Sequence, residues 1–321
     1  MNILNISTYD LAGVGYKIHE AINRYGHGWH SNHIALHTHA MHYPIEYLVN
    51  DDTISEKKIK RSDTHEKYVT MDNRKEIRRL LNNADIIQFN HTTTVDKILG
   101  YPIPKDKIMG VYHTGTEYRR NTEAVNERLK HFDRTFVTYE TNLMEACPYA
   151  HVLRRPIDTE LYKPSPKKHK NSIIISHSPS HEDKKGTKYL REAYQRLEQE
   201  FDNVELQIIK DVTWAKVMKL KNEADIFFDM LPWKPNGQTY GLSGLEAACF
   251  GVPVLTGKKY SPECTFVHVT KETLYAEIKN MILYPKHRKI LGEMARDYVE
   301  KYHSYEAIAK SLIASYEELI K

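Results

Sequence analysis

Short apolar runs alternate with helix-length amphipathic segments along almost the whole chain, and this alternation restricts the fold more than any other feature. "NILNIS" precedes a helical pattern at "VGYKIHEAINRYG", and "SNHIALHT" follows as the next strand. "NRKEIRRLLNNA" leads into "DIIQFN", and "KIMGVYHT" precedes "NTEAVNERLKHF" and then "RTFVTY". The rhythm breaks across residues 148–170, where "RRPIDTELYKPSPKKHK" carries three prolines and a basic cluster, the composition of a linker. It resumes with "NSIIISHS", "TKYLREAYQRLEQEF", "VELQIIK", "WAKVMKLKNEA" and "DIFFDM". A crossover helix returns the chain to the same end of a sheet, so strand–helix–strand repeats build parallel sheets covered by helices. The sequence therefore predicts an α/β protein of two doubly wound, Rossmann-like domains over residues 1–155 and 156–302. A long amphipathic helix over 303–321, "SYEAIAKSLIASYEELI", closes the chain.

A length of 321 residues suits two domains better than one. With 40% hydrophobic and 27% charged residues, the composition is that of a globular protein and too apolar for a disordered one. The net charge of +4 is mild and suits a phosphate-bearing ligand. Cys147, Cys249 and Cys264 are odd in number and widely spaced, which excludes a disulfide framework and points to a reducing compartment, the cytoplasm. "MNILNISTYD" lacks the charged start and apolar stretch of a signal peptide, and no window approaches the roughly 18 apolar residues of a membrane span.

Four segments carry candidate chemistry. In "GQTYGLSGLEAACFGVPVLTG" Ser243 and Glu246 stand at the spacing of a capping box, in which each side chain satisfies an amide at the helix start. The same helix start can instead hold an anion on its backbone amides, with the carboxylate one turn in positioned for sugar hydroxyls. "DLAGVGYK" follows the first strand and opens the first helix; Gly13 and Gly15 permit close backbone approach to a phosphate, or form a plain turn. It lacks the third glycine of a dinucleotide fingerprint. "VYHTGTEYR" places His113 at a strand end, where ligands collect in open α/β sheets, although a structural histidine fits there equally. "ISHSPSHEDKKGTKYL" sets Lys185 before a helix as a point charge for a diphosphate, the alternative being a solvated lysine. No P-loop, zinc-protease or nucleophile-elbow motif is present, and no strand ends in an aspartate pair suited to a divalent ion.

Together these segments resemble the retaining GT-B glycosyltransferases of the E-x7-E class, the family 4-like or group 1 enzymes. "GQTYGLSGLEAACFGVPVL" is similar to that family's nucleotide-sugar segment, "PIDTELYKP" to its interdomain segment, "SPSHEDKKGT" to its Lys–Gly loop and "HTGTEYR" to its acceptor-side histidine segment. The resemblance implies GT-B architecture, two Rossmann-like domains facing a central cleft, with the closing helix packed back across them. It implies that Glu246 holds the donor ribose. Amides near Gly241, Leu242 and Ser243 face the donor sugar and phosphate, Lys185 contacts the diphosphate, and the Gly13–Gly15 loop closes on it. His113 and Gln238 would act at the donor sugar. Gln238 stands where the family has its first glutamate, so a neutral amide replaces a carboxylate. The loop arginine is also missing: Glu182 and His181 lie near its position, and Arg154 or Arg155 is the linker's candidate substitute.

The implied function is metal-independent transfer of a sugar, with retention, from a nucleotide-diphosphate donor to an acceptor hydroxyl. No cofactor is implied, since the nucleotide sugar is a substrate. A non-catalytic nucleotide-sugar-binding protein and a nucleotide-sugar epimerase on the same fold are the competing readings. The sequence leaves open the acceptor, whether polysaccharide, lipid, protein or modified nucleic acid, and the oligomeric state.

Overall fold

The computed structural model describes residues 1–37, 43–49, 69–71, 74–91, 103–104, 106–113, 118, 121–139, 141–166, 172–231, 241–257 and 261–320. They form two compact units, one of Met1–Pro156 with Tyr305–Lys321 and one of Ile157–Ser304.

The first unit opens with β1 (Asn2–Tyr9), a short 3-10 turn, α1 (Val14–Tyr25) and β2 (His30–His37). The brief strands β3 (Tyr47–Val49) and β4 (Val69–Met71) precede α2 (Arg74–Asn83), β5 (Ile86–Asn90) and β6 (Ile108–His113). Then come α3 (Thr122–Leu129), β7 (Arg134–Val137), α4 (Thr141–Ala146) and β8 (His151–Val152). All eight strands are parallel, in the order β4-β3-β2-β1-β5-β6-β7-β8. The chain winds outward from β1 in one direction and then, from β5, in the other. The reversal between β1 and β5 is the place where open α/β sheets bind ligands.

Alternation along these strands sorts side chains onto two faces, each with its own core. Leu4, Ile6, Ile87, Phe89, Val111 and Val137 point to one face, packed with Ile77, Leu80, Val125 and Leu143 from α2, α3 and α4. Ile3, Ile86, Tyr112 and Phe136 point to the other, packed with Val14, Ile18 and Ile22 of α1.

The second unit begins with β9 (Ile173–His177), a single turn α5 (Glu182–Lys185), α6 (Thr187–Leu197) and β10 (Val204–Ile208). It continues with α7 (Trp214–Glu223), β11 (Ile226–Met230), α8 (Leu242–Cys249), β12 (Val254–Thr256) and β13 (Val267–His268). The helices α9 (Leu274–Leu283) and α10 (Pro285–His303) complete it. Its five parallel strands run β10-β9-β11-β12-β13. Ile175, Ile226, Phe228 and Leu255 meet Leu190, Leu197, Leu274 and Ile278 in its core.

The last helix, α11 (Tyr305–Ile320), belongs to the first unit. Ile308, Leu312 and Tyr316 bury against Ile3, Ile18 and Phe136. Tyr316 donates its phenolic hydrogen to Gln88 Oε1 inside the sheet. Gly110 makes room for it, since a Cβ there would run into the Tyr316 hydroxyl. The linker reading of residues 148–170 meets more order than its prolines suggest. His151–Val152 is the edge strand β8, and Ile157 bridges to Ser304, its amide donating to His303 O at 2.8 Å.

Candidate functional site

The candidate residues fall into two sets, one in each unit. In the second unit, β11 ends beside the start of α8. The N-cap of α8 is Gly241, in extended conformation and without a side-chain cap of its own. The strand supplies the anion instead: Asp229 Oδ2 accepts from the Gly241 amide at 3.3 Å and from Thr256 Oγ1 at 3.5 Å. Glycine leaves room for that approach. A Cβ at Gly241 would lie 3.0 Å from Asp229 Oδ1, and one at Gly244 3.2 Å from its Cγ. Burial pushes the Asp229 carboxyl above the ordinary carboxylate range, opposed by the Lys185 charge and by the Gly241 amide.

Leu242, Ser243 and Glu246 occupy the first turns of α8, with Leu242 and Glu246 buried. Glu246 Oε1 accepts from Trp214 Nε1 at 3.0 Å, and Oε2 accepts from Lys221 Nζ at 2.5 Å. Lys221 also donates to Ser243 Oγ at 2.8 Å, and Ser243 Oγ meets Ser178 Oγ at 2.5 Å. The capping-box expectation is thereby corrected. Ser243 lies inside the helix, beyond the Gly241 cap, and Glu246 is engaged by a buried ammonium and an indole. A charge-assisted bond is roughly twice as strong as a neutral one, so a backbone amide does not compete.

Lys185 closes the single turn α5, which ends at Gly186 in the left-handed conformation, φ 77°. That glycine packs on Leu231, whose Cβ would stand 2.7 Å from a Gly186 Cβ. The Lys185 Nζ reaches Met230 Sδ at 3.9 Å, and its charge favours the ionised form of Asp229. Glu182, near the position of the family's loop arginine, accepts from Arg191 at 3.1 Å and from Lys210 at 2.9 Å. Lys185 and the α8 start thus meet around one buried carboxylate.

In the first unit the same device appears at α1. Gly13, its N-cap, is left-handed with φ 63°, and its amide donates to Asp10 O at 3.0 Å. The amides of Gly15 and Tyr16 donate to the Asp10 carboxylate at 2.7 and 2.9 Å. Gly15 is packed on Ser7, His33 and Asn90, with His33 Nε2 2.8 Å from where a Cβ would stand. The positive end of α1 is therefore engaged by the protein's own carboxylate. His113 ends β6 and is buried, and among the described residues its Nε2 has no hydrogen-bond partner. Burial and then the Arg128 charge lower its pKa to about 4, so the ring is neutral at pH 7. Of the linker arginines, Arg154 stacks on Tyr139, 4.8 Å from the ring centroid.

Gln238 lies outside the described residues. Trp214, Lys221, Asp229 and Asp10 are the site residues that sequence reasoning missed. Lys221 did leave a signal: it continues the buried stripe Trp214, Val217, Met218 at helical spacing, where a lysine has no reason to sit without a partner. Among the described residues no group of three His, Cys, Asp or Glu is arranged to hold a metal ion, and no helix is long and apolar enough to cross a membrane.

No family model matches the chain, and no curated protein matches it. Solved structures do. The chain is similar to a sucrose-phosphate synthase from Thermosynechococcus elongatus, with TM-score 0.62, 15% identity, and 100% of this chain and 99% of that one covered. It is similar to the lipopolysaccharide outer core galactosyltransferase WaaB in its apo form, with TM-score 0.57, 12% identity, and 99% and 100% covered. It is also similar to S. aureus MnaA in its UDP complex, with TM-score 0.57, 14% identity, and 99% and 96% covered. The two parallel-sheet units have the GT-B fold, as the resemblance implied.

Proposed function

We propose that the chain is a glycosyltransferase that moves a sugar from a nucleotide-diphosphate donor to an acceptor hydroxyl, with retention and without a metal ion. The observation that carries this reading is the first turn of α8. There a buried carboxylate, Glu246, stands next to a glycine-lined helix N-terminus, with Lys185 beside the same strand end. Glu246 would take the ribose hydroxyls, the amides of Gly241, Leu242 and Ser243 would face the phosphates, and Lys185 would offset their charge. His113, neutral at pH 7, would hydrogen-bond the donor sugar, with Gln238 as an uncharged partner and the Gly13–Gly15 loop as a further donor contact. The departing diphosphate would help deprotonate the acceptor, and much of the rate would come from electrostatic stabilisation of that leaving group. The three cysteines suit a reducing compartment such as the cytoplasm.

The test is calorimetry against UDP-, GDP- and ADP-sugars, followed by NMR of each binding donor for slow hydrolysis. Binding with hydrolysis to a retained sugar supports the reading. Glu246→Ala should weaken that binding at least tenfold while the protein stays folded, and undiminished affinity would refute the site. Release of an isomerised sugar nucleotide without any acceptor would replace the reading with an epimerase, and binding without turnover across acceptors would replace it with a nucleotide-sugar-binding protein.

A further inference from the structure

Resting on the donor site just described, we propose that Lys221 sets its nucleotide selectivity. It is a positioning residue that keeps Glu246 ionised and fixed, so that ribonucleotides are taken in preference to their 2′-deoxy counterparts.

Lys221 is 1% exposed, and its ammonium sits 5.4 Å from the Phe227 ring centroid. Its two bonds join different parts of the site: 2.5 Å to the Glu246 carboxylate and 2.8 Å to Ser243 Oγ in the first turn of α8. Trp214, two turns earlier on the same helix, grips the other carboxylate oxygen at 3.0 Å, and its ring meets Tyr162 edge-on at 5.7 Å. Packing alone does not account for a lysine here. Desolvating both ions costs several kcal/mol each, and an apolar side chain would continue the Trp214, Val217, Met218 stripe without that cost. What the lysine does supply is charge. A buried carboxyl without a cation takes up a proton, whereas beside an ammonium it stays ionised.

Ionisation decides what Glu246 recognises. A carboxylate only accepts hydrogen bonds, so it suits hydroxyl donors, while a protonated carboxyl presents a donor of its own. Recognition of both ribose hydroxyls depends on that difference, and the 2′-hydroxyl is the one that a 2′-deoxy analogue removes. Through Ser243 the same ammonium ties the ribose-facing carboxylate to the turn that faces the phosphates.

The experiment is calorimetry on the whole chain with UDP, GDP and ADP, each against its 2′-deoxy analogue, for wild type, Lys221→Met and Lys221→Arg. Thermal melting of every variant runs alongside. The wild type should favour one ribonucleotide at least tenfold, about 1.4 kcal/mol. Lys221→Met should cut that preference below about threefold, mainly by losing ribonucleotide affinity, and Lys221→Arg should restore most of it. Lys221→Gln, which keeps reach without charge, takes the place of the methionine variant if that one does not fold. An equal loss for both nucleotides would make Lys221 structural only, and an unchanged preference would overturn the proposal outright. A wild type that binds none of the pairs would overturn the donor-site reading, whereas one that binds them without discriminating would overturn the Lys221 proposal alone.

Discussion

Replacing Arg296 with methionine should destabilise the second unit by several kcal/mol. Arg296, on α10, is 8% exposed. It donates to Tyr162 O at 2.5 Å, to Thr159 O at 2.6 Å, to Cys249 O, and to Glu300 Oε1 at 2.7 Å. One guanidinium thus satisfies two carbonyls of the linker segment and the orphan carbonyl that ends α8, where a cation is also favoured by the helix dipole. Methionine keeps most of the aliphatic packing and none of the donors. Each buried carbonyl left bare costs about 1–3 kcal/mol, and relaxation of three together brings the total to about 3–5 kcal/mol. For a unit of this size each kcal/mol is worth about 2–4 °C, so its calorimetric transition should fall by about 6–20 °C. The loss should also reach the site, because the Tyr162 ring buttresses Trp214 and Trp214 holds Glu246. A folded variant that melts within about 2 °C of wild type would refute the reasoning, since the carbonyls would then have found other donors at no cost.

Gly15→Ala should cost about 1–3 kcal/mol, seen as a lower denaturant midpoint, because its Cβ meets Ser7, His33 and Asn90 with no room to yield. His177, held between Phe228 O at 2.8 Å and Thr187 Oγ1 at 2.9 Å, has its pKa lowered to about 4 by burial. The unfolded chain therefore binds the extra proton first, and stability present above pH 6.5 is lost as pH falls toward 4, by about 1.4 kcal/mol per pH unit for this group. Because His33 and His113 act in the same direction and the raised Asp10 and Asp229 in the opposite one, the comparison is with His177→Gln. Its stability should fall less steeply over that window, and parallel profiles would refute the assignment. Asp229→Asn should tighten UDP binding about three- to tenfold in calorimetry, since it removes a like charge from the helix start that faces the phosphates; weaker binding would show that the carboxylate orders that turn.

The alternation of apolar runs and amphipathic segments made both parallel sheets legible, because a buried strand and a one-sided helix leave different periods in the chain. The strands β3, β4, β8 and β13 were not legible: two or three residues are too few to show a period. At the site, Ser243 and Glu246 were visible as a local pattern, but the partner that decides their role lies 25 residues away on α7. Local spacing favoured a capping box, and tertiary charge prevailed over it. Asp229 was hidden in the buried run "DIFFDM", where an acidic residue reads as an interruption until the helix it caps is seen to fold back on it.

The return of α11 to the first unit has a consequence for how the chain is made. Ile308, Leu312 and Tyr316 complete a core whose other members include Ile3 and Val14, so β1 and α1 wait for a helix that is synthesised only after the whole second unit. The second unit, continuous from Ile157 to Ser304, has no such dependence. Of these two units, the second is therefore the first to have all its residues synthesised, against the usual order from the N-terminus. The first sheet keeps the part of this apolar face that α1 does not cover exposed, with Gln88 waiting for the Tyr316 hydroxyl, until α11 has emerged from the ribosome. A premature stop that removed only this helix would leave a complete second unit joined to an exposed sheet, a species for chaperones and proteases to clear.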